Sequence, residues 1–155
     1  MTAIYTADNG ILYGKIGIAV SRYNDHITGK LLQAAIDTLQ KTGIPAANIM
    51  IAWAPGAWEL PLICQDLVEK PDVTAVITLG CVIRGETTHD QHINSSVSQA
   101  LMQLSLKHSK PVAFGVLTVN TLEQAIHRSG GRVGNKGEEA AAAVIEMLKV
   151  RSQLR

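Results

Sequence analysis

The chain has 155 residues, 46% of them hydrophobic and 17% charged, with a formal net charge of +1. That length makes one domain able to bury a full core, and the near-neutral balance offers no footprint for nucleic acid or an anionic membrane. No apolar run approaches the roughly 20 residues that cross a bilayer, and the first ten residues carry neither the basic region nor the apolar core of a secretion signal, so a cytoplasmic location is expected.

Residues 1–13 precede the regular pattern and form an arm, either loose or paired with a neighbouring subunit's sheet edge; residues 14–155 form the domain. Lys15 to Val20 is a short β-branched run and reads as a strand. Ile27 to Thr42 has helical spacing, with Ile27, Leu31, Ala35 and Leu39 on one face and Gly43 as a stop. Ile49 to Trp53 is a second strand. Leu60 to Glu69 is a short helix that tolerates Pro61 in its first turn. Val73 to Leu79 is the third strand, and Asp90 to His108 a helix with Ile93, Val97, Leu101 and Leu104 inward. Pro111 to Leu117 is the fourth strand. Thr121 to His127 opens with a capping-box pattern, Thr121-x-x-Gln124, and Asn135-x-x-Glu138 opens the last helix the same way.

Four alternations of strand and helix imply right-handed crossovers and a parallel sheet with helices on both faces. The expected fold is therefore α/β, a three-layer α/β/α sandwich of flavodoxin type around a four-stranded parallel sheet. In such a sheet, ligands bind outside the carboxyl ends of the strands. The loops brought there are Ser21 to Asp25, Ala54 to Glu59, Gly80 to His89, and Thr118 to Asn120.

Those loops carry chemistry. Tyr23 beside Asn24, and Trp58 beside Glu59, suit a flat polar ring, the aromatic stacking and the polar group reading its edge; ordinary half-buried aromatics are the plainer alternative. His89 follows two threonines at an apparent helix start and is the acid/base candidate, against a capping or surface histidine. His89-x-x-His92 has no third obvious metal ligand. The two cysteines, Cys64 and Cys81, have no CxxC spacing and read as buried thiols, with the backbone of Cys81 a candidate pocket wall. Gly130 to Gly137 is glycine-rich and basic, with Arg128 just before it. It is either a flexible turn between helices or a phosphate-attracting loop, and it lacks the ending of a Walker sequence.

Taken in order, these segments resemble lumazine synthases. Ser21-Arg22-Tyr23-Asn24 is similar to the family's S-R-F-N, and Pro55-Gly56-Ala57-Trp58-Glu59-Leu60-Pro61 to its P-G-A-F-E-I-P. Gly80 to His89 resembles G-x-V-I-R-G-x-T-x-H. Phe114 to Thr118, Glu123 to Ile126 and Gly134 to Ala141 are also close to the family text. The resemblance implies condensation of 5-amino-6-ribitylaminouracil with 3,4-dihydroxy-2-butanone 4-phosphate to 6,7-dimethyl-8-ribityllumazine, with no metal or organic cofactor.

Carried over by position, Tyr23 would stack on the pyrimidine with Asn24 near its edge. Ala57, Trp58 and Glu59 would line the ribityl chain, and Cys81, Val82 and Ile83 would meet the pyrimidine through backbone groups. Glu86 and Thr87 would offer N–H groups to phosphate, and His89 would shuttle protons. Phe114, Arg128 and Lys136 match residues that a neighbouring subunit contributes, Arg128 pairing with phosphate. Members form pentamers, some of which close into a 60-subunit icosahedral shell able to enclose riboflavin synthase; the short Arg128 to Lys136 turn favours the shell.

The chain also departs from the family text. Tyr23 and Trp58 replace phenylalanines, His26 stands at another phenylalanine position, and Asp90-Gln91-His92 replaces an aromatic-acid-aromatic run. That leaves Asp90 and Glu86 as rival carboxylates for tuning His89. Two other readings differ in class. One is a flavodoxin-like flavin binder, which the unlike first loop disfavours. The other is a shell scaffold with a decayed site, which intact His89, Glu59, Arg128 and Lys136 disfavour.

Overall fold

The apolar runs assemble into one parallel sheet in the computed structural model, which describes residues 1–155. Its elements are β1 (Lys15–Ser21), α1 (Asp25–Lys41), β2 (Ile49–Ala54), α2 (Leu60–Val68), β3 (Val73–Ile83), α3 (His89–His108), β4 (Val112–Val119), α4 (Leu122–His127), β5 (Ser129–Gly131), β6 (Gly134–Asn135) and α5 (Lys136–Leu154). The sheet runs β2-β1-β3-β4, with all three pairings parallel. Strand period and helix period then divide the core in two. Ile16, Ile18, Val20, Ile77 and Leu79 pack with Ile27, Leu31, Leu39 and Leu148 from α1 and α5. Ala19, Val76 and Val116 pack with Leu60, Cys64, Val97 and Leu101 from α2 and α3 on the opposite face. The expected three-layer α/β/α architecture is what forms.

Element ends shift where a glycine or an asparagine does something other than punctuate. β3 does not stop at Leu79 but runs through Gly80 to Ile83, because β4 stays in register with it as far as Ile83↔Val119. A β-carbon on Gly80 would press on Leu60 and Val116, so this glycine marks close packing inside a strand. β4 correspondingly extends to Val119, which takes Thr118 and Val119 out of the expected loop. α1 begins at Asp25, not Ile27, because Asn24 sits left-handed (φ 64°) and its carbonyl accepts from Ile27 and Thr28 N–H. α3 begins at His89.

The capping boxes form unequally. Thr121 Oγ1 accepts from Gln124 N–H, while the Gln124 side chain accepts from Asn120 N–H, one residue before the cap. Asn135 Oδ1 accepts from both Gly137 and Glu138 N–H, and Glu138 makes no return bond to Asn135. The glycine-rich segment is a small antiparallel hairpin, β5–β6, in place of a flexible turn. The arm makes one 3-10 turn at Ala7–Asn9 and lies along the end of α5, where Ile11 N–H donates to Ser152 Oγ and Gln153 Nε2 donates to Thr6 O.

Gly137 is fixed by packing. It opens α5 where that helix crosses α1, and any β-carbon there would collide with the Leu31 carbonyl. Gly137→Ala should therefore lower unfolding stability by about 1–3 kcal/mol, read as a lower urea midpoint; a midpoint equal to wild type would mean that α1 and α5 do not cross so closely.

Candidate active site

In the order β2-β1-β3-β4, the chain leaves β1 in one direction and returns on its other side as β3. A crevice at the carboxyl ends of β1 and β3 follows from that reversal. The crevice is a cleft of about 550 Å³ walled by Tyr23, Asn24, Ala57, Trp58, Glu59, Cys81, Val82, Ile83, Thr87 and His89, with Gly56, Gly85, Asp90 and Ile93 completing it.

Its walls are tied to the sheet by backbone bonds. Arg22 N–H donates to Ala54 O at 2.8 Å and Tyr23 N–H to Pro55 O at 3.0 Å, which locks the loop after β1 to the loop after β2. Beneath them, Thr28 Oγ1 donates to Ser21 O at 2.6 Å in the core. β3 outruns β1, because that pairing ends at Val20↔Leu79. Asn24 fills the gap: its Nδ2 donates to Cys81 O at 3.1 Å, leaving its Oδ1 for another partner. Tyr23 and Trp58 remain 73% and 59% exposed, so both rings are free to meet a ligand.

His89 is the first residue of α3, and its N–H donates to Thr87 Oγ1 at 3.3 Å. Of the two rival carboxylates, Asp90 lines the cleft, with Oδ1 buried and unpartnered, whereas Glu86 is exposed outside it. Gln91 and His92 are exposed and line no part of the cleft. No cluster of three metal-ligating side chains occurs in the chain. Burial pushes the Cys64 thiol up to about 12 and the Cys81 thiol up to about 11. Desolvation disfavours the thiolate, so Cys81 lacks the activation a nucleophile needs.

Phe114, Arg128 and Lys136 do not join this cleft. They line a second cavity of about 490 Å³ against the end of β4, with Thr118, Gln124 and His127. The hairpin builds it. Lys136 N–H donates to Arg128 O at 2.9 Å and Val133 N–H to His127 O at 2.9 Å, so β5–β6 holds both cations beside the end of α4. Gly131 is pressed against Ile126 O and the His127 α-carbon, a contact no larger residue would permit.

The two cavities differ in charge. The first is lined by His89 and two carboxylates, Glu59 and Asp90, with no lysine or arginine. The second is lined by Arg128, Lys136 and His127, with no carboxylate. The residues singled out from the sequence thus fall into two groups, with Glu86 in neither. Asp90, Gln124 and His127 were not assigned to a ligand from the sequence. Adjacency of His127 to Arg128 was the available signal for one of them, and a helix-start position beside His89 for another.

Comparison with known proteins comes down on one family. The profile described as 6,7-dimethyl-8-ribityllumazine synthase matches residues 14–152. A 6,7-dimethyl-8-ribityllumazine synthase of Rhodopirellula baltica is 50% identical over 142 residues, covering 92% of each chain. One of Thermus thermophilus is 45% identical over 136 residues, covering 88% of this chain and 87% of the relative.

Two predictions follow from the cleft's construction. Asn24→Gly keeps the left-handed backbone but loses the bond to Cys81, and Asn24→Ala loses both. The alanine variant should be the less stable by about 1 kcal/mol, measured by urea unfolding; equal midpoints would remove the role given to the left-handed turn. The thiols give a pH dependence. Their folded values lie above the ordinary value of about 9, so the unfolded chain releases these protons first and stability falls from about pH 9 through about 11 to 12. That part of the alkaline loss should vanish in a Cys64→Ala, Cys81→Ala double variant; a fall identical to wild type contradicts it.

Proposed function

The chain belongs to the 6,7-dimethyl-8-ribityllumazine synthase family, transferases of riboflavin biosynthesis, and we propose that its two cavities are complementary halves of one active site completed between neighbouring copies. The reaction joins 5-amino-6-(D-ribitylamino)uracil to 3,4-dihydroxy-2-butanone 4-phosphate and releases phosphate and water. It proceeds by imine formation, phosphate elimination and ring closure. Each step moves protons around a bound pair, so positioning and one acid/base group suffice.

The charge division between the cavities carries the proposal. A phosphate dianion needs charge-assisted donors, and the first cavity offers carboxylates. The second offers cations with no carboxylate among its walls. In this reading Tyr23 stacks on the pyrimidine, and Asn24 with the Cys81, Val82 and Ile83 backbone reads its edge. Ala57, Trp58 and Glu59 hold the ribityl chain, Glu59 accepting from its hydroxyls. Thr87 and Glu86 present N–H groups to the phosphate, and His89 moves protons between the amine nitrogen, the carbonyl oxygen that leaves as water, and the carbon beside the imine whose deprotonation expels phosphate. The next copy supplies Phe114 over the ring and Arg128 with Lys136 to the phosphate.

Heterologous pairing of unlike faces forms a ring where its rotation closes, here a homopentamer in which the arm, packed on its own α5 in the single chain, adds instead to a neighbouring sheet. The short β5–β6 hairpin favours further closure into an icosahedral, 60-subunit shell, with riboflavin synthase as the partner it would enclose. No helix is long and apolar enough to cross a membrane, and a cytoplasmic enzyme is part of the same reading.

His89→Ala should lower kcat about ten- to a hundredfold, at or below the usual general acid/base contribution, with positioning carrying the rest; unchanged kcat would remove it as the shuttle. Arg128→Ala should chiefly raise KM for the phosphate substrate. The sharing of sites is tested by unfolding the two variants together and refolding them as a mixture. Random assembly gives about a quarter of the sites both intact halves, so activity at low phosphate-substrate concentration should exceed the sum of the two variants assayed separately. A mixture no better than that sum would mean that each site is built within one chain.

A further inference from the structure

We infer that His127 is a third, protonation-dependent cation of the phosphate-binding cavity, so that the cavity grips a dianion more tightly as pH falls. This rests on the reading of that cavity as the phosphate half of the site. His127 lines it with Arg128 and Lys136. Its backbone is pinned by Val133 N–H, and Gly131 packs against its α-carbon, so its position is set by the same hairpin that sets the two permanent cations.

The surroundings favour an anion beside it. The strands packed against α4 are β3, β4 and β5. None carries Asp, Glu, Lys, Arg or His, and Cys81, their one titratable side chain, is held as a neutral thiol. The carbonyls at the end of α4 would otherwise repel an anion. They are occupied: Arg128 N–H bonds to Gln124 O, Ala125 O and Ile126 O, Ser129 Oγ donates to Ile126 O, and Val133 N–H bonds to His127 O. The remaining charged groups are Arg128 and Lys136 in the cavity, exposed Arg132 in the hairpin turn, and Glu123.

Glu123 gives the arrangement its balance. Its Oε1 lies 3.5 Å from His127 Nε2, one helical turn away, on a side chain 84% exposed. It faces the imidazole but does not line the cavity. A protonated His127 therefore has a counter-ion on its solvent side, which offsets the repulsion of Arg128 and Lys136. Imidazole ordinarily changes charge between pH 5 and 8. The neutral ring leaves two cations for a phosphate, and the protonated ring adds a third positive charge at the cavity wall.

Inorganic sulfate tests this, because it stays doubly charged across the range where phosphate itself titrates. In the wild-type enzyme, Ki for sulfate against the phosphate substrate should fall about three- to tenfold from pH 8.5 to 5.5, a gain discounted for partial exposure. His127→Gln should lose that added fall and hold a Ki near the wild-type value at pH 8.5. The rest of the site is the same in both enzymes, so the difference between the curves reports His127. At pH 6, sulfate should also shift the His127 imidazole resonances in the wild-type protein, a readout that needs no variant to fold. Parallel Ki curves, or imidazole resonances unmoved at saturating sulfate, overturn the inference while sulfate binding that still depends on Arg128 leaves the half-site reading standing. If Arg128→Ala leaves the sulfate Ki unchanged at every pH, the half-site reading and the inference built on it both fall.

Discussion

The cleft exists because β3 runs past the end of β1 while remaining paired with β4. Pairing with β1 stops at Val20↔Leu79, and pairing with β4 continues to Ile83↔Val119. Edge backbone in a buried sheet must find partners, and past Leu79 the partner on the β1 side is a single side-chain amide, Asn24, on Cys81 O. The overrun thus creates a short length of rigid, half-open backbone, and the loops after β1 and β2 are bonded to one another around it. Ligand-facing groups on a strand are held more firmly than the same groups on a loop. The strand also carries the chain to Arg84, whose N–H returns to Val119 O, and the turn that follows sets His89 at the start of α3.

Much of this was legible in the sequence because the governing physics is local. β-branched runs such as Val73 to Leu79, and the inward stripe Ile27, Leu31, Ala35, Leu39, state their period directly. Parallel topology then gathers the carboxyl ends of the strands, so Tyr23, Asn24, Trp58, Glu59, Cys81 and His89 could be nominated from the residues alone, while Ala57, Val82, Ile83 and Thr87 come from the family resemblance. The failures share one cause, which is that a residue's neighbours across the fold decide its role. Gly80 looks like punctuation until Leu60 and Val116 are seen against it, and Gly137 looks like part of a phosphate loop until the Leu31 carbonyl is seen beneath it. The hairpin strands, Ser129–Gly131 and Gly134–Asn135, are too short and too poor in β-formers to announce themselves. That Asp90 lines the cleft and Glu86 does not depends on which way a helix start faces, and no spacing encodes that.

The division of charge between the two cavities bears on stability as well as on binding. The chain forms just two ion pairs, Lys15–Asp72 on the surface and the conditional His127–Glu123 contact. Arg128 and Lys136 have no carboxylate within ion-pairing distance, although both are half-buried and held beside one another by the hairpin. Their positions are fixed by backbone bonds and not by a counter-ion. The hairpin bonds and the tight seat of Gly131 hold the arrangement.

Cations kept apart from carboxylates in this way are preorganised donors: they need not break an internal pair before meeting a dianion, so little reorganisation opposes binding. On the reading proposed for the family reaction, that dianion lies between copies, against the N–H groups ahead of His89. A ligand that neutralises charge from one chain while touching the other stabilises the assembled form over the separated one by mass action. Arg128 and Lys136 then act as a bias towards assembly: the anion they attract is fully enclosed only where the neighbouring cleft closes over it.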